Sequence, residues 1–340
     1  MRICVYGAGS IGCYVGARLA AAGADVVFVG RERLRAEVTE HGLRATDWQG
    51  ADLAVPYDRV RFETSPDAAA GADLVLVAVK SAATEQAAEE LAGVIAQDAV
   101  VISFQNGLRN PETLRAGLQG RTVLAGLVEF NVVQQGKGTF HAATEGGLAV
   151  EDHAALSPYL GIFERAGLSL ERYAEMLPVQ WGKLLLNLNN PVNALSGLPL
   201  KAELSQRSFR RCLAMAQAET LDVLAAAGIT PARLTPLPPH WMPRLLALPD
   251  LVFRSFGGKM LAMDPQARSS MLDDLDAGRL TEIDYLNGEV VHLARSAVRS
   301  APVNARLVEL VHEAEAGGRR GWSGRDLYDD LRGAAENPAG

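Results

Sequence analysis

Apolar residues in the first third of the chain form short continuous runs, and helix-forming segments separate these runs. Strands are predicted over 2–6, 25–29, 74–79 and 99–104, and helices over 10–22, 82–96 and 110–118. Continuous rather than alternating apolar strands indicate burial on both faces, which is typical of a parallel sheet covered by helices. The pattern therefore predicts an α/β fold that begins with a parallel sheet.

Two further segments of this part have a different character. Residues 43–62 contain Asp47, Gly50 and Pro56 and are predicted to form short strands or a loop. Between 122 and 150, apolar runs are separated by glycines. We interpret these runs as antiparallel strands added to one edge of the sheet.

The remainder of the chain is predicted to be helical, with one strand near 168–172. The helices are expected over 157–166, 176–190, 201–227, 270–277, 282–299 and 302–316. The proline-rich stretch between 231 and 265 is expected to be broken into short pieces. The sequence thus predicts a first domain over 1–174, an all-α C-terminal domain over 175–330 and a disordered tail over 331–340.

Composition limits the classes of partner. The chain has 340 residues, 48% of them hydrophobic, and a formal charge of −7, so nothing attracts it generally to nucleic acid or to an anionic membrane. No apolar run approaches the roughly 18 residues that span a bilayer. Three scattered cysteines form neither a metal-binding spacing nor a disulfide framework. We expect a cytoplasmic protein without a cleavable leader or a metal, and the sequence leaves open whether it is a monomer or a homodimer.

The first strand runs directly into a glycine motif that opens a helix. Gly7, Gly9 and Gly12 have the G-x-G-x-x-G spacing of dinucleotide-binding sites with a Rossmann-type sheet. Gly7 would permit the tight turn, Gly9 the close approach of a pyrophosphate, and Gly12 the packing of helix on strand. The N–H groups of Ser10 and Ile11 would then help to bind the phosphates. The alternative is an ordinary glycine-rich turn.

The end of the second predicted strand indicates which dinucleotide is bound. A site for NAD usually has a carboxylate there, on the ribose 2′-hydroxyl. In this chain Arg31 comes first, and its planar guanidinium suits a 2′-phosphate. A shift of one residue would bring Glu32 to the same place, and a solvated loop is the third alternative. We favour NADP(H).

Polar residues follow two strands at the edge of the sheet where ligands of such folds bind. Lys80 follows the strand over 74–79, and Asn106 follows the strand over 99–104. We predict that both contact the cofactor, and Asn106 the substrate as well. A surface charge at Lys80 and a simple turn at Asn106–Gly107 are the alternatives.

A polar stripe marks the predicted helix over 176–190. Lys183, Asn187 and Asn190 lie at positions i, i+4 and i+7, and most of the remaining surface of this helix is leucine. Asparagine is a poor helix former, and a solvated stripe would more often contain Glu, Lys and Arg. We therefore predict that the stripe lines a site, where burial would lower the pKa of Lys183 and suit it to donate a proton.

The third candidate segment contains Ser270 and Glu282. One unbroken helix would separate them by about 18 Å, too far to hold one small substrate. Gly278 and a helix cap at Thr281 predict a break that would bring them together. The structural alternative for Ser270 is a capping box with Asp273, which would be sufficient to explain a serine at this position. In the first turn of its helix, Glu282 would be favoured as the carboxylate.

These segments, in this order and spacing, resemble the ketopantoate reductases (2-dehydropantoate 2-reductases). The resemblance covers nearly the whole chain. The segments that carry it are Gly7 to Gly12, Arg31, Val79–Lys80, Gln105–Asn106–Gly107, Trp181 to Asn187, Ser270–Met271–Leu272 and Thr281 to Asp284. It implies that NADPH reduces 2-dehydropantoate to (R)-pantoate, on the route to pantothenate and coenzyme A.

The resemblance also implies roles for individual residues. Lys183 would be the general acid that protonates the carbonyl oxygen, and Glu282 would bind the substrate hydroxyl and the lysine. Ser270 would bind the substrate carboxylate. Asn106 and Asn187 would position the substrate and the nicotinamide.

Two departures from the family pattern concern substrate or cofactor contacts. Ala83 stands where family members often have glutamine, and Asn190–Pro191 comes one residue early, so Asn190 is carried over as a substrate-binding residue only with a gap. A related reductase acting on another 2-oxo acid is therefore one alternative. An NADP(H)-binding sensor without catalysis is another, but a sensor needs neither Lys183 nor Glu282.

Overall fold

The chain folds into two compact units, Met1–Met176 and Leu177–Gly340. The computed structural model describes residues 1–256 and 264–337. The division falls two residues beyond the boundary expected from the sequence. No helix within the described ranges is long and apolar enough to cross a membrane.

The first unit is built on an eight-stranded sheet. In spatial order its strands are β12 (Leu170–Tyr173), β11 (Leu148–Glu151), β8 (Thr122–Val128), β7 (Val100–Ser103), β6 (Leu74–Val77), β1 (Arg2–Tyr6), β2 (Asp25–Val29) and β5 (Arg61–Glu63). Every neighbouring pair is parallel except β8 and β11. The chain leaves β1 toward β2 on one side and returns to β6 on the other, and ligands of open sheets bind at such a switch point.

Side chains of the central strands point alternately into two apolar cores. Ile3 and Val5 lie in one core, and Cys4 and Tyr6 lie in the other. The first core contains side chains of α1 (Ser10–Ala21), α2 (Glu32–His41) and α5 (Leu160–Arg165); the second contains those of α3 (Thr84–Ala92) and α4 (Asn110–Gly117). Burial on both faces explains the continuous apolar strands, and the predicted α/β class is confirmed.

The expectation for residues 122–150 is only partly right. β8 continues the parallel sheet, and β11 is its antiparallel neighbour. The hairpin of β9 (Val132–Gly136) and β10 (Thr139–Ala142) belongs instead to a second sheet, in which β10 pairs with β3 (Leu43–Asp47) and β3 pairs with β4 (Asp52–Val55). The partner of β10 is remote in sequence, so local patterns could not indicate it.

The described residues of the second unit form helices joined by loops, and they include no strand. Its helices are α6 (Leu177–Asn187), α7 (Asn189–Ser196), α8 (Leu200–Leu204), α9 (Arg207–Ala226), α10 (Met242–Leu246), α11 (Asp250–Phe256), α12 (Ser270–Asp276), α13 (Asn287–Ser296), α14 (Pro302–Glu315) and α15 (Gly324–Glu336). The long helix α9 lies centrally and packs against α7, α8, α10, α13, α14 and α15.

The predicted disorder from residue 331 onward is wrong for residues 331–336, which complete α15. Ser323 caps this helix by accepting a hydrogen bond from the N–H of Asp326 at 3.1 Å. Leu327 and Leu331, one turn apart, are fully buried. The capped start and the buried face hold the helix in place, and residues 338–340 lie outside the described ranges.

Candidate active site

The glycine motif has the geometry expected of a phosphate-binding turn. Gly7 has a φ of +96°, and a Cβ there would lie 2.5 Å from the N atom of Val79. At Gly12, a Cβ would lie 2.7 Å from the Gly7 carbonyl oxygen, so only glycine lets α1 pack this closely on β1. The nearest atom to a Cβ at Gly9 is the Gly7 carbonyl oxygen, 4.0 Å away. Gly9 therefore leaves open the space that a pyrophosphate would need.

The start of α1 lacks a side-chain cap. Gly9 is the N-cap residue and has no side chain to accept a hydrogen bond, and no acidic residue lies in the first turn. The first N–H groups of a helix have no acceptor within the helix, and they favour an anion through the helix dipole. These features fit a dinucleotide phosphate and support the expected roles of Ser10 and Ile11.

Arg31 and Glu32 differ in their surroundings. Arg31 follows β2 as the exposed N-cap residue of α2 and has no ion pair among the described residues. The carboxylate of Glu32 is paired with Arg35, at 3.1 Å from its Nε. Arg33 points to Gln134, at 3.4 Å, and to Glu37, at 3.9 Å. Of these charged groups, Arg31 is the one left available for a ligand at the end of β2.

Lys80 and Asn106 lie at the same edge of the sheet. β6 and β7 are parallel, with Val77 opposite Ser103, and the two polar residues follow these strands. Both are half-buried. Ser81 joins the two segments, since its hydroxyl donates to the Asn106 carbonyl at 2.9 Å. The first unit thus places Gly7, Arg31, Lys80 and Asn106 beyond the carboxyl ends of four neighbouring parallel strands.

A buried hydrogen-bond network that the sequence did not predict supports this edge. Gln105 Nε2 donates to Thr84 Oγ1 at 2.7 Å, and Thr84 Oγ1 donates to Asn110 Oδ1 at 2.8 Å. Asn110 Nδ2 donates in turn to Ser81 Oγ at 3.0 Å and to the Asn106 carbonyl. Such a network fixes the loop that holds Asn106. The only sequence signal was several small polar residues directly after two buried strands.

In the second unit, the predicted stripe is divided between two helices. Lys183 and Asn187 lie on α6 and are half-buried beside buried Leu184 and Leu185. The predicted helix over 176–190 ends at Asn187, and Asn190 lies in the first turn of α7. Pro191 explains the break, because it cannot donate a hydrogen bond to the carbonyl four residues earlier and its ring clashes there.

A shallow pocket that is open to solvent adjoins α6, and its empty space of about 300 Å³ includes part of that solvent. Apolar groups dominate its lining, which comprises Gly182, Leu185, Leu186, Gln217, Ala232, Leu234, Thr235, Pro239 and Met242. Leu186 follows Lys183 by three residues and therefore lies on the same side of the helix. Gln217 is buried, and its Nε2 donates to the Leu185 carbonyl at 2.9 Å. No sequence pattern indicates this pocket, because its lining comes from segments that are remote in the chain.

The segment from 270 to 282 is broken, as predicted. α12 ends at Asp276, Gly278 has a φ of +63°, and α13 begins only at Asn287. The capping box considered as an alternative role for Ser270 is not formed, because Ser269 is the N-cap residue and accepts from the N–H of Leu272 at 3.2 Å. Ser270 is consequently an exposed residue without a capping role.

Two further details of this segment differ from expectation. Glu282 is not in the first turn of an α-helix, since it precedes a three-residue 3₁₀ turn over Ile283–Tyr285 and is half-buried. Thr281 Oγ1 accepts from the N–H of Ile283 at 3.2 Å, but the N-cap residue of the turn is Glu282, so the expected cap at Thr281 is displaced by one residue. Ser269 Oγ also lies 3.5 Å from the Asn190 carbonyl, which brings the start of α12 to the start of α7. That Ser270 and Glu282 bind one substrate stays a prediction.

Comparison with known proteins identifies the family. The model "Ketopantoate reductase PanE/ApbA" matches residues 3–155, and its C-terminal counterpart matches residues 175–315. The chain belongs to the ketopantoate reductase family. The family indicated by the sequence motifs is thereby confirmed.

Individual relatives extend along most of the chain. The 2-dehydropantoate 2-reductase of Halobacterium salinarum is 29% identical, over 94% of this chain and 100% of its own length. The 2-dehydropantoate 2-reductase of Archaeoglobus fulgidus is also 29% identical, over 93% of this chain and 98% of its own length. The crystal structure of a PanE/ApbA family ketopantoate reductase from Ralstonia eutropha superposes with a TM-score of 0.78 at 30% identity, covering 93% of this chain and 99% of the other.

A more distant structure shares the fold. D-mandelate dehydrogenase with NADH and anilino(oxo)acetate gives a TM-score of 0.76 at 20% identity, over 93% of this chain and 99% of the other. The family fold therefore occurs with NADH as well, and the fold alone does not determine which of the two nicotinamide cofactors this ketopantoate reductase family member uses.

Proposed function

We propose that this protein uses NADPH to reduce 2-dehydropantoate to (R)-pantoate. The observation that carries the proposal is the half-buried Lys183–Asn187 stripe on leucine-lined α6, in a chain that also has an uncapped glycine-rich turn at the carboxyl edge of a parallel sheet. A sensor that only binds the cofactor would have no use for such a lysine. Relatives over almost the full length carry the name of this reaction.

The chain supplies the groups that ketone reduction requires. The bound reduced nicotinamide would supply a hydride to the carbonyl carbon. The Lys183 ammonium would donate a proton to the carbonyl oxygen, where negative charge develops, and the amides of Asn106 and Asn187 would orient the carbonyl and the nicotinamide. One hydride and one proton then convert the ketone to the alcohol.

The remaining polar groups would bind the rest of the substrate. The exposed hydroxyl of Ser270, in the first turn of α12, would donate to the substrate carboxylate, helped by the helix dipole. Asn190, next to it on α7, would contact the substrate as well. The carboxylate of Glu282 would accept from the substrate hydroxyl and hold the Lys183 ammonium.

We further propose NADP(H) as the cofactor, with Arg31 on the 2′-phosphate and with Lys80, Ser10 and Ile11 near the phosphates. The pairing of Glu32 with Arg35 supports this choice, because that carboxylate is already bound. A cytoplasmic location fits three cysteines that are all buried and unpaired, with burial raising the pKa of the Cys4 thiol to about 12. A homodimer stays a prediction.

Turnover with defined substrates tests the proposal. NADPH oxidation would be measured with 2-dehydropantoate, with pyruvate and with an aromatic 2-oxo acid, using Lys183→Ala as the control for contaminating activity. We expect the highest kcat/KM with 2-dehydropantoate and no activity above background in the control. Preference for another 2-oxo acid would establish the related-reductase alternative, and NADPH binding without any turnover would establish the sensor.

A further inference from the structure

A fully buried carboxyl group lies behind the substrate-binding face of the helical unit. Glu203 of α8 has an exposed fraction of 0%. Its Oε2 accepts from Asn189 Nδ2 at 2.9 Å and from Asn193 Nδ2 at 3.3 Å, both on α7. Asn189 and Asn193 flank Asn190, for which we propose a substrate contact. The carboxyl group thus holds the helix turn that presents Asn190.

Two oxygens of this group have no hydrogen-bond partner if Glu203 is ionised. They are Oε1 of Glu203 and Oδ1 of Asn189, both buried. Neither atom can donate when the carboxyl is a carboxylate, and leaving two buried acceptors unsatisfied is costly. A proton on Oε1 turns that atom into a donor, so Glu203 no longer keeps a buried acceptor without a partner. Asn189 still donates from Nδ2 to Oε2, and the Oδ1 of the same amide is a buried acceptor that lacks a donor.

Burial acts on the acid in the same direction. It raises the pKa of Glu203 from its ordinary value to about 8, although the two asparagine amides lower it. From α9, the Cys212 thiol faces Glu203, and burial raises the pKa of that thiol too. The buried guanidinium of Arg210, also on α9, pairs with Asp250 and donates to three carbonyls, those of Leu204, Leu246 and Leu248. The facing groups from α7 do not titrate.

The cluster is connected to the start of α12. Asn193 Oδ1 accepts from the N–H of Ser269 at 3.0 Å, and its Nδ2 also donates to the Leu198 carbonyl at 2.8 Å. Ser269 caps α12 and precedes Ser270, for which we propose a contact with the substrate carboxylate. Asn193 therefore joins Glu203 to both substrate-binding helix starts.

We propose that Glu203 is a positioning residue that works as a neutral carboxylic acid, holding Asn190 and Ser270 in their substrate-binding arrangement through Asn189 and Asn193. The roles of Asn190 and Ser270 rest on the proposed function. Loss of the proton leaves a charged carboxylate buried with its Oε1 unsatisfied, and this cost loosens the contacts of Glu203 with α7 and, through Asn193, with the start of α12. Substrate binding then weakens, while the proton transfer from Lys183 is affected only indirectly.

The first experiment compares wild type with Glu203→Gln, whose amide provides a permanent donor in place of the acid O–H. We expect the wild-type KM for the 2-oxo acid to rise about tenfold between pH 7 and pH 9, since a group with a pKa of about 8 falls from about nine-tenths to about one-tenth protonated. In Glu203→Gln the KM should stay near the wild-type pH 7 value throughout. Any alkaline decrease of kcat due to Lys183 should persist in both proteins.

Glu219→Gln provides the matched control. Glu219 is another carboxyl whose pKa burial raises, but it contacts the start of α14 through Val303 and Asn304. This variant should keep the wild-type rise in KM. An unchanged rise of KM in Glu203→Gln, or its loss in Glu219→Gln, would overturn the proposal.

A second experiment does not depend on activity, so it separates this proposal from failure of the proposed function. Infrared spectra of the wild type at pH 7 should contain the carbonyl band of a buried protonated carboxylic acid, which Glu203→Gln lacks and Glu219→Gln retains. Because the folded pKa of Glu203 is raised, the folded chain keeps a proton that the unfolded chain loses, and wild-type stability should fall as the pH rises toward about 8. Absence of the band in wild type at pH 7 refutes a neutral Glu203, even if Glu203→Gln does not fold.

Discussion

Replacing Arg31 with alanine removes the proposed contact with the 2′-phosphate of NADPH. The side chain is exposed at the end of β2 and has no ion pair among the described residues, so the variant should leave the fold intact. A charge-assisted hydrogen bond contributes about 1.5–3 kcal/mol. NADPH binding should therefore weaken by about tenfold to about 150-fold. NADH has no 2′-phosphate, so its binding should change little.

The assay is the Kd of NADPH and of NADH for the wild type, Arg31→Ala and Arg33→Ala. Arg33 is exposed in the same turn but points to Gln134 and Glu37, which makes it the matched control. Loss of an exposed ionic contact should also be largest at low salt, because salt screens it. In Arg33→Ala, both affinities should stay near wild type.

Two results would refute the reasoning. One is an Arg31→Ala variant that loses NADH and NADPH affinity equally, since the side chain would then support the turn rather than the phosphate. The other is a wild-type protein whose kcat/KM is the same with NADH as with NADPH. In that case Glu32 would be the residue to test, by Glu32→Gln with NADH.

Three further predictions concern the proton donor, the phosphate turn and the start of α12. Lys183→Ala should lower kcat by at least about 10² with NADPH affinity nearly unchanged, and a variant that keeps more than about a tenth of wild-type kcat would exclude Lys183 as the general acid. Gly9→Ala should fold normally but bind NADPH poorly. Gly12→Ala should lower the free energy of unfolding by about 1–3 kcal/mol, because its Cβ would lie 2.7 Å from a carbonyl oxygen. Equal melting temperatures of Gly9→Ala and Gly12→Ala would contradict this prediction. Ser269→Ala should lower the free energy of unfolding by about 1 kcal/mol, because it removes the cap of α12. Ser270→Ala should leave stability unchanged and raise the substrate KM. A loss of stability in Ser270→Ala but not in Ser269→Ala would show that Ser270 is the cap.

The sequence determined the parts of the fold that depend on local interactions. Continuous apolar runs identified the buried parallel strands β1, β2, β6 and β7, because a strand covered on both faces cannot alternate. Gly7 and Gly12 were identified as obligatory glycines, and their backbone and packing agree with that interpretation. The break between Ser270 and Glu282 followed from Gly278, which adopts positive φ at low cost.

Where several local solutions were equally good, the sequence could not choose between them. Ser269 and Ser270 are both good caps, and only the contact of Ser269 with α7 decides between them. The helix expected over 176–190 ends at Asn187, because Pro191, in the first turn of α7, cannot continue the hydrogen bonding of α6. Helix α2 was not predicted at all, since only Leu34 and Val38 mark its apolar face.

Tertiary structure alone decided what depends on remote partners. Contacts between separate segments of the chain are needed to pair β10 with β3. They are also needed to keep α15 folded and to bury Glu203 completely. A glutamate between apolar residues in a short helix looks like a surface charge in the sequence. Only the fold removes it from water and places two asparagine amides on one of its oxygens, because burial is a property of the whole packed unit and not of the residues next to it.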